Sequence, residues 1–222
     1  MLYKQKKDST MKKLLIILFS LFFLSSPSVF ADDISDFQIE GISIGDSLLD
    51  YMTEDEILKE IKRTKDWYKY LNEPDKYSEV FSSDRLDKNL KTYDYLGFYI
   101  KNNQPNQYVT NKNEEYIIQS ITGNRDYIEN FDACLNKRDE IANLLSRSFP
   151  NAQKTEHFLI HGGDPSEKSI IDAVYFNFDS GAVVKASCYN FDEDFRRQLN
   201  WSEGLMIAIQ TKEILEWLGN HK

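Results

Sequence analysis

Two apolar-rich runs, Ile170–Phe178 and Ala182–Tyr189, are separated by only Asp179-Ser180-Gly181. A connection that short cannot carry a chain over a sheet to a parallel neighbour. It returns the chain as an antiparallel hairpin. A shorter run precedes the hairpin at Glu156–Ile160 and another follows at Leu205–Gln210. The second half therefore reads as an antiparallel sheet, and no sustained β-α-β alternation points to a doubly wound one.

Helical periodicity appears in three places. Ile128, Phe131, Leu135, Ala142 and Leu145 form one stripe between Asp126 and Arg147, with Cys134, Ile141 and Leu144 beside it and Pro150 marking the end. Thr53 and Glu56 form a capping box that opens a helix carrying Ile57 and Ile61 and running to about Tyr70. Thr211 caps a C-terminal helix with Ile214, Leu215 and Leu218. Further strands are expected over residues 37–44, kinked at Gly41, and near 93–101 and 114–121. Helix-then-strands thus occurs twice. The expected fold is α+β, with antiparallel sheet packed against helices in two similar halves, 32–124 and 125–222, of a single domain.

The N-terminal segment reads as a cleaved secretory signal. Lys4, Lys6, Lys7, Lys12 and Lys13 form a basic region, Leu14 to Leu24 is apolar except for Ser20, and Val29-Phe30-Ala31 is a cleavage tripeptide. Met11-Lys12-Lys13 would suffice as the basic region alone. Eleven apolar residues rise about 16 Å as a helix, roughly half a bilayer core. No later segment is apolar enough to span a membrane, and no Cys follows the apolar run to carry a lipid.

Cleavage after Ala31 removes five of 27 basic and one of 36 acidic residues, leaving a net charge of −13. Such a surface repels nucleic acid and anionic membrane alike. In an oxidising compartment Cys134 and Cys188 most simply pair, the alternative being two buried thiols. Closing a loop of that length contributes about 4 kcal/mol on the chain-entropy account.

Several motifs suggest chemistry and fail on spacing. Gly41-Ile42-Ser43-Ile44-Gly45 matches a nucleophile elbow, with His161-Gly162-Gly163 and Asp164 as companions. The oxyanion-hole loop of such hydrolases precedes the serine, whereas here it follows by more than a hundred residues. His157 and His161 are four apart on a predicted strand, about 13 Å, too far to share a metal ion. Asp192-Glu193-Asp194 and the Asp84/Asp87 pair lack the alternation of a calcium loop. No catalytic residue, metal site or cofactor is nominated.

Aromatic residues are concentrated in Trp67-Tyr68-Lys69-Tyr70 and at Tyr175, Phe176, Phe178, Tyr189 and Phe191. Most are assigned to core and cross-strand packing. Trp67 and Tyr70 are the candidate contact residues, because a four-residue aromatic run cannot point inward throughout.

The stretch from Asp36 through Gly41-Ile42-Ser43-Ile44-Gly45-Asp46-Ser47 to Tyr51, and the ending Thr211 to Leu218, resemble a group of small exported bacterial proteins with no assigned activity. The resemblance implies export and a single unit, and it carries over no catalytic residue, ligand or partner. Ile42-Ser43-Ile44-Gly45-Asp46-Ser47 has a looser likeness to a strand-to-helix turn in envelope proteins of the outer-membrane-assembly type. The expectation is an exported, soluble, non-enzymatic binding or accessory protein of the cell envelope, periplasmic or secreted, with a protein or small molecule as partner. The alternative is a small exported hydrolase whose acid and base meet only in the fold.

Overall fold

A computed structural model describes residues 34, 37–102, 115–199 and 201–221. The segment read as a secretory signal lies outside the described residues. The chain begins with a two-strand hairpin, β1 (Gln38–Ile39) and β2 (Ile42–Ser43), followed by a 3-10 turn at Leu48–Asp50 and helix α1 (Glu54–Thr64). Strand β3 (Tyr77–Phe81), the short α2 (Asp84–Asp87), β4 (Tyr95–Lys101) and β5 (Ile118–Asp126) come next. Helix α3 (Phe131–Ser148) leads into β6 (Gln153–Ile160), β7 (Ile170–Asn177) and β8 (Val183–Asn190). The chain ends with α4 (Glu193–Leu199), β9 (Gly204–Gln210) and α5 (Lys212–Gly219).

Strands β3 to β9 form one antiparallel sheet in the order β3-β4-β5-β9-β8-β7-β6. The fold is α+β. Helix α1 precedes the meander β3-β4-β5 and α3 precedes β6-β7-β8, with β9 joining the two meanders. Gly204 makes that junction sterically feasible. Its φ is +144°, and a Cβ there would sit 2.3 Å from the Arg125 carbonyl oxygen.

The register aligns side chains into rows across the sheet. Val80, Phe98, Ile121, Ile209, Val184 and Phe176 stand side by side on six strands. None of the six is more than 1% exposed. Each such side chain contributes roughly 1.5–3 kcal/mol of apolar burial. Helix α3 lies over β7, β8 and β9 on this face, burying Cys134, Ile141, Ala142 and Leu145. Phe37, Ile39, Ile42, Leu48, Met52 and Ile57 complete the same core. Cys134 and Cys188 lie at disulfide distance, Cα to Cα 5.9 Å, so the bridge ties the first turn of α3 to β8.

Several element boundaries differ from the sequence reading, each for a local reason. The strand expected to kink at Gly41 is instead a complete hairpin, because Glu40 (φ +54°) and Gly41 (φ +82°) together form a two-residue turn. Helix α1 keeps its capping box: Thr53 N donates to Glu56 Oε2 at 2.8 Å, and Glu56 N to Thr53 Oγ1 at 3.3 Å. It stops at Thr64, whose hydroxyl donates to the Glu79 carbonyl at 2.7 Å, and residues 65–70 continue as turns. Helix α3 starts at Phe131 rather than at Asp126. Residues up to Asp126 belong to β5, Glu129 has φ +58°, and Asn130 caps the helix. Strand β3 and helices α2 and α4 have no counterpart in the sequence reading.

Candidate functional site

Alternate residues of the same strands build the opposite face of the sheet. In register across β3, β4, β5, β9 and β8 stand Phe81, Gly97, Thr122, Ala208 and Lys185. The three middle residues are small, so this row is a trough between taller neighbours. On one side the adjacent row carries Glu79, Tyr99 and Gln210, and on the other Tyr95, Asn124 and Met206. The cleft has a volume of about 500 Å³, within the range of small-molecule sites.

Two aromatic clusters flank it. At the β3 end, Trp217 of α5 packs against Tyr68, Tyr77 and Tyr99, with centroid distances of 5.1, 5.3 and 6.1 Å. The indole N–H donates to the Glu73 carbonyl at 2.7 Å, which holds α5 against the 65–76 segment. Near the β8 end, His161 is surrounded by Phe191, Phe195 and Trp201 at 5.3, 5.8 and 5.5 Å. Helix α4 places Phe195 in that cluster.

The acids at the cleft are internally engaged. Glu79 accepts from the Tyr68 hydroxyl at 2.6 Å, and the Tyr68 and Tyr99 hydroxyls lie 2.5 Å apart. Burial pushes the Glu79 carboxyl up, against the opposing pull of the Tyr68 hydrogen bond and the Arg63 charge. Burial likewise raises Tyr68 and Tyr99 far above the ordinary phenol, and Tyr95 to about 12. Asp126 accepts from the Ser202 hydroxyl. Glu203 accepts from the backbone N–H groups of Glu129 at 2.8 Å and Phe191 at 3.2 Å.

Lys185 differs. It lines the cleft, half-buried, and among the described residues its ammonium makes no ion pair and donates no hydrogen bond. Burial lowers its proton affinity, and Tyr175, a neutral phenol, is its neighbour on β7.

The residues singled out from sequence are distributed around this geometry. Trp67 lines the cleft, half-exposed, with its ring 6.1 Å from Phe81 and the Arg63 guanidinium 5.2 Å above it. Tyr70 is also half-exposed but turns toward the C-terminus, where it stacks on His221 at 5.5 Å. Ser43 sits in β2, its hydroxyl accepting from Gln38 at 3.1 Å. Asp164 knots the 161–169 loop. Although burial opposes it, hydrogen bonds from Ser169 and Ser166 hold its carboxyl well below the usual range. Asp192 accepts from Phe195 N at 3.4 Å and pairs with Lys168, while Asp87 accepts from Ser82. Among the described residues no group of three His, Cys, Asp or Glu is placed to hold a metal ion.

Lys185, Trp201 and Glu79 escaped the sequence reading. Lys185 is one polar residue in an alternating strand, and alternation alone does not distinguish a solvated lysine from one enclosed by the rest of the fold. A second recess of about 730 Å³ lies between α1 and α2, where Arg85 pairs with Glu56 at 3.2 Å.

The fold and site define a class by geometry: an antiparallel sheet sealed on one face by helices and carrying an aromatic-walled cleft on the other. No protein-family model, no curated protein and no solved structure matches the chain.

Proposed function

We propose that the protein is an exported, non-enzymatic binding or accessory protein of the cell envelope that takes a ligand in the cleft on the open sheet face. One observation carries the reading. Across the middle of that face the fold sets a floor of small residues, Gly97, Thr122 and Ala208, low between taller aromatic neighbours, and a cleft of about 500 Å³ lies over it. Trp67 is a wall residue of this site. Tyr70 serves as a rim contact beyond it.

Export is supported by the signal-like segment and by a cysteine pair at disulfide distance. No described helix is long and apolar enough to cross a membrane. What supports binding over acid–base hydrolysis is that the acids lining the cleft are held by the protein itself, Glu79 by the Tyr68 hydroxyl, Asp126 by the Ser202 hydroxyl and Glu203 by two backbone N–H groups.

The test is native mass spectrometry on protein exported with its own signal, purified without reductant and incubated with an envelope extract. A Met206→Trp variant, which fills the cleft, is run beside it. Mass acquired by the wild type and not by the variant supports cleft binding. Equal acquisition by both, or none by either, counts against it.

A further inference from the structure

We infer that the cleft takes an elongated amphipathic anion, with a carboxylate- or phosphate-like head at the Lys185 ammonium and an aromatic or alkyl body along the trough toward Phe81. This inference rests on the cleft being the binding site and adds the chemistry of its occupant.

The argument starts from charge. The chain has 36 acidic residues against 27 basic ones, so an unpaired ammonium withdrawn from water is unexpected. Leaving such a group without a counter-charge costs free energy that any nearby carboxylate would offset. The acids lining the cleft have other partners: Glu79 is held by Tyr68, Asp126 by Ser202, and Glu203 by two backbone N–H groups. Arg125, the other strong cation at the cleft, donates to the Thr92 carbonyl at 2.9 Å. Lys185 alone among these groups has its charge uncommitted.

Shape gives the rest of the ligand. From Lys185 the floor runs over Ala208, Thr122 and Gly97 to Phe81, five residues in register on five strands. At Gly97 a Cβ would sit 2.5 Å from Thr122 Oγ1, so the floor accepts no larger residue there without displacing that side chain. The far end is apolar, with Phe81 and Trp67 in edge contact. Lys185 thus sets a cation at one end of the floor, and Phe81 and Trp67 form an aromatic end opposite it. A molecule of one charge and one apolar body fits that polarity.

The experiment uses a matched pair of fluorescent probes on the mature, disulfide-intact protein. These are 8-anilinonaphthalene-1-sulfonate and N-phenyl-1-naphthylamine, which share the ring system and differ by the sulfonate. The anionic probe is expected to bind the wild type at least about tenfold more tightly than the neutral one, as a charge-assisted contact requires. Lys185→Met should remove that preference, bringing the anionic probe's affinity to that of the neutral one. Lys185→Arg, which keeps the charge, should retain it and also shows that the position tolerates substitution.

Equal affinity for the two probes in the wild type, or an undiminished preference in Lys185→Met, overturns the anion assignment. Met206→Trp separates that failure from failure of the site itself. If it abolishes binding of both probes, the cleft stands and only the ligand class falls. If it changes neither, or if the wild type binds neither probe saturably, the cleft reading falls as well.

Discussion

The two faces of this sheet are made by alternate residues of the same strands, and they are built to different rules. On the helix-covered face, Val80, Phe98, Ile121, Ile209, Val184 and Phe176 form an unbroken apolar row. One residue along each strand, the open face presents Phe81, Gly97, Thr122, Ala208, Lys185 and Tyr175, which mixes aromatic, small and charged groups. The first row sets the register, because a one-residue slip would turn six buried side chains to the other face. The second row is thereby free to carry chemistry. Its geometry is held by contacts on the far side, so its composition can follow a ligand.

The largest test of that division is the bridge between α3 and β8. Replacing Cys134 and Cys188 together with alanine should lower stability by about 4 kcal/mol, the loop-closure value for their separation. Urea denaturation of wild type and double variant reads this directly. A loss below about 1 kcal/mol would mean that packing alone secures α3.

Neighbouring residues on β9 give the sharpest comparison. Ile207 faces the core and is 1% exposed, whereas Met206 faces the cleft. Ile207→Ala should cost roughly 2–5 kcal/mol and Met206→Ala under about 1 kcal/mol. Similar losses from the two would contradict the assignment of stability to one face.

A smaller effect is expected at α5, which closes one end of the open face through Trp217. Thr211 caps this helix, accepting from Ile214 N at 3.4 Å. Thr211→Ala should cost about 1 kcal/mol. It should also increase the accessibility of Trp217 to a fluorescence quencher, and an unchanged quenching profile would show that α5 is held by packing alone.

The subtlest test concerns Glu79. Burial raises its carboxyl in the folded state, so the folded protein binds the proton more tightly than the unfolded chain does. The associated stability is present below the unfolded carboxyl's range and is lost as pH rises through the folded value. Glu79→Gln cannot titrate. The melting temperature of the wild type relative to this variant should therefore be more favourable at pH 4 than at pH 8. A difference independent of pH, or one of opposite sign, would place Glu79 in a solvated setting.

Much of the scaffold was legible in the residues. The hairpin across Asp179-Ser180-Gly181, the capping box at Thr53 and Glu56, the cap at Thr211 and the stripe through Leu135, Ala142 and Leu145 are local patterns with local causes. The Cys134–Cys188 pairing was the simplest reading of two cysteines behind a signal-like N-terminal segment. Strand β3 was not legible, because Tyr77-Ser78-Glu79-Val80-Phe81 is short and carries a polar residue on each of its faces. The start of α3 was misplaced because Asp126 and Arg125 are drawn into β5 by pairing with Gly204 and Leu205, residues almost eighty positions later.

The site shows the same division more strongly. Trp67 stood out because a run of aromatics cannot all be buried. Lys185, Glu79 and Trp201 did not, since nothing local separates them from ordinary surface residues. By itself the sequence determined the class of fold and the placement of several turns and caps, consequences of nearest-neighbour chemistry and apolar period, and it pointed to a pairing of its two cysteines. Only the tertiary structure decided which sheet face is sealed and which is open. It also decided that the acids lining the cleft, Glu79, Asp126 and Glu203, bond to other groups, while among the described residues Lys185 has no ion pair. Those outcomes depend on strand order and register, which bring β3, β4, β5, β9 and β8 side by side from distant parts of the chain.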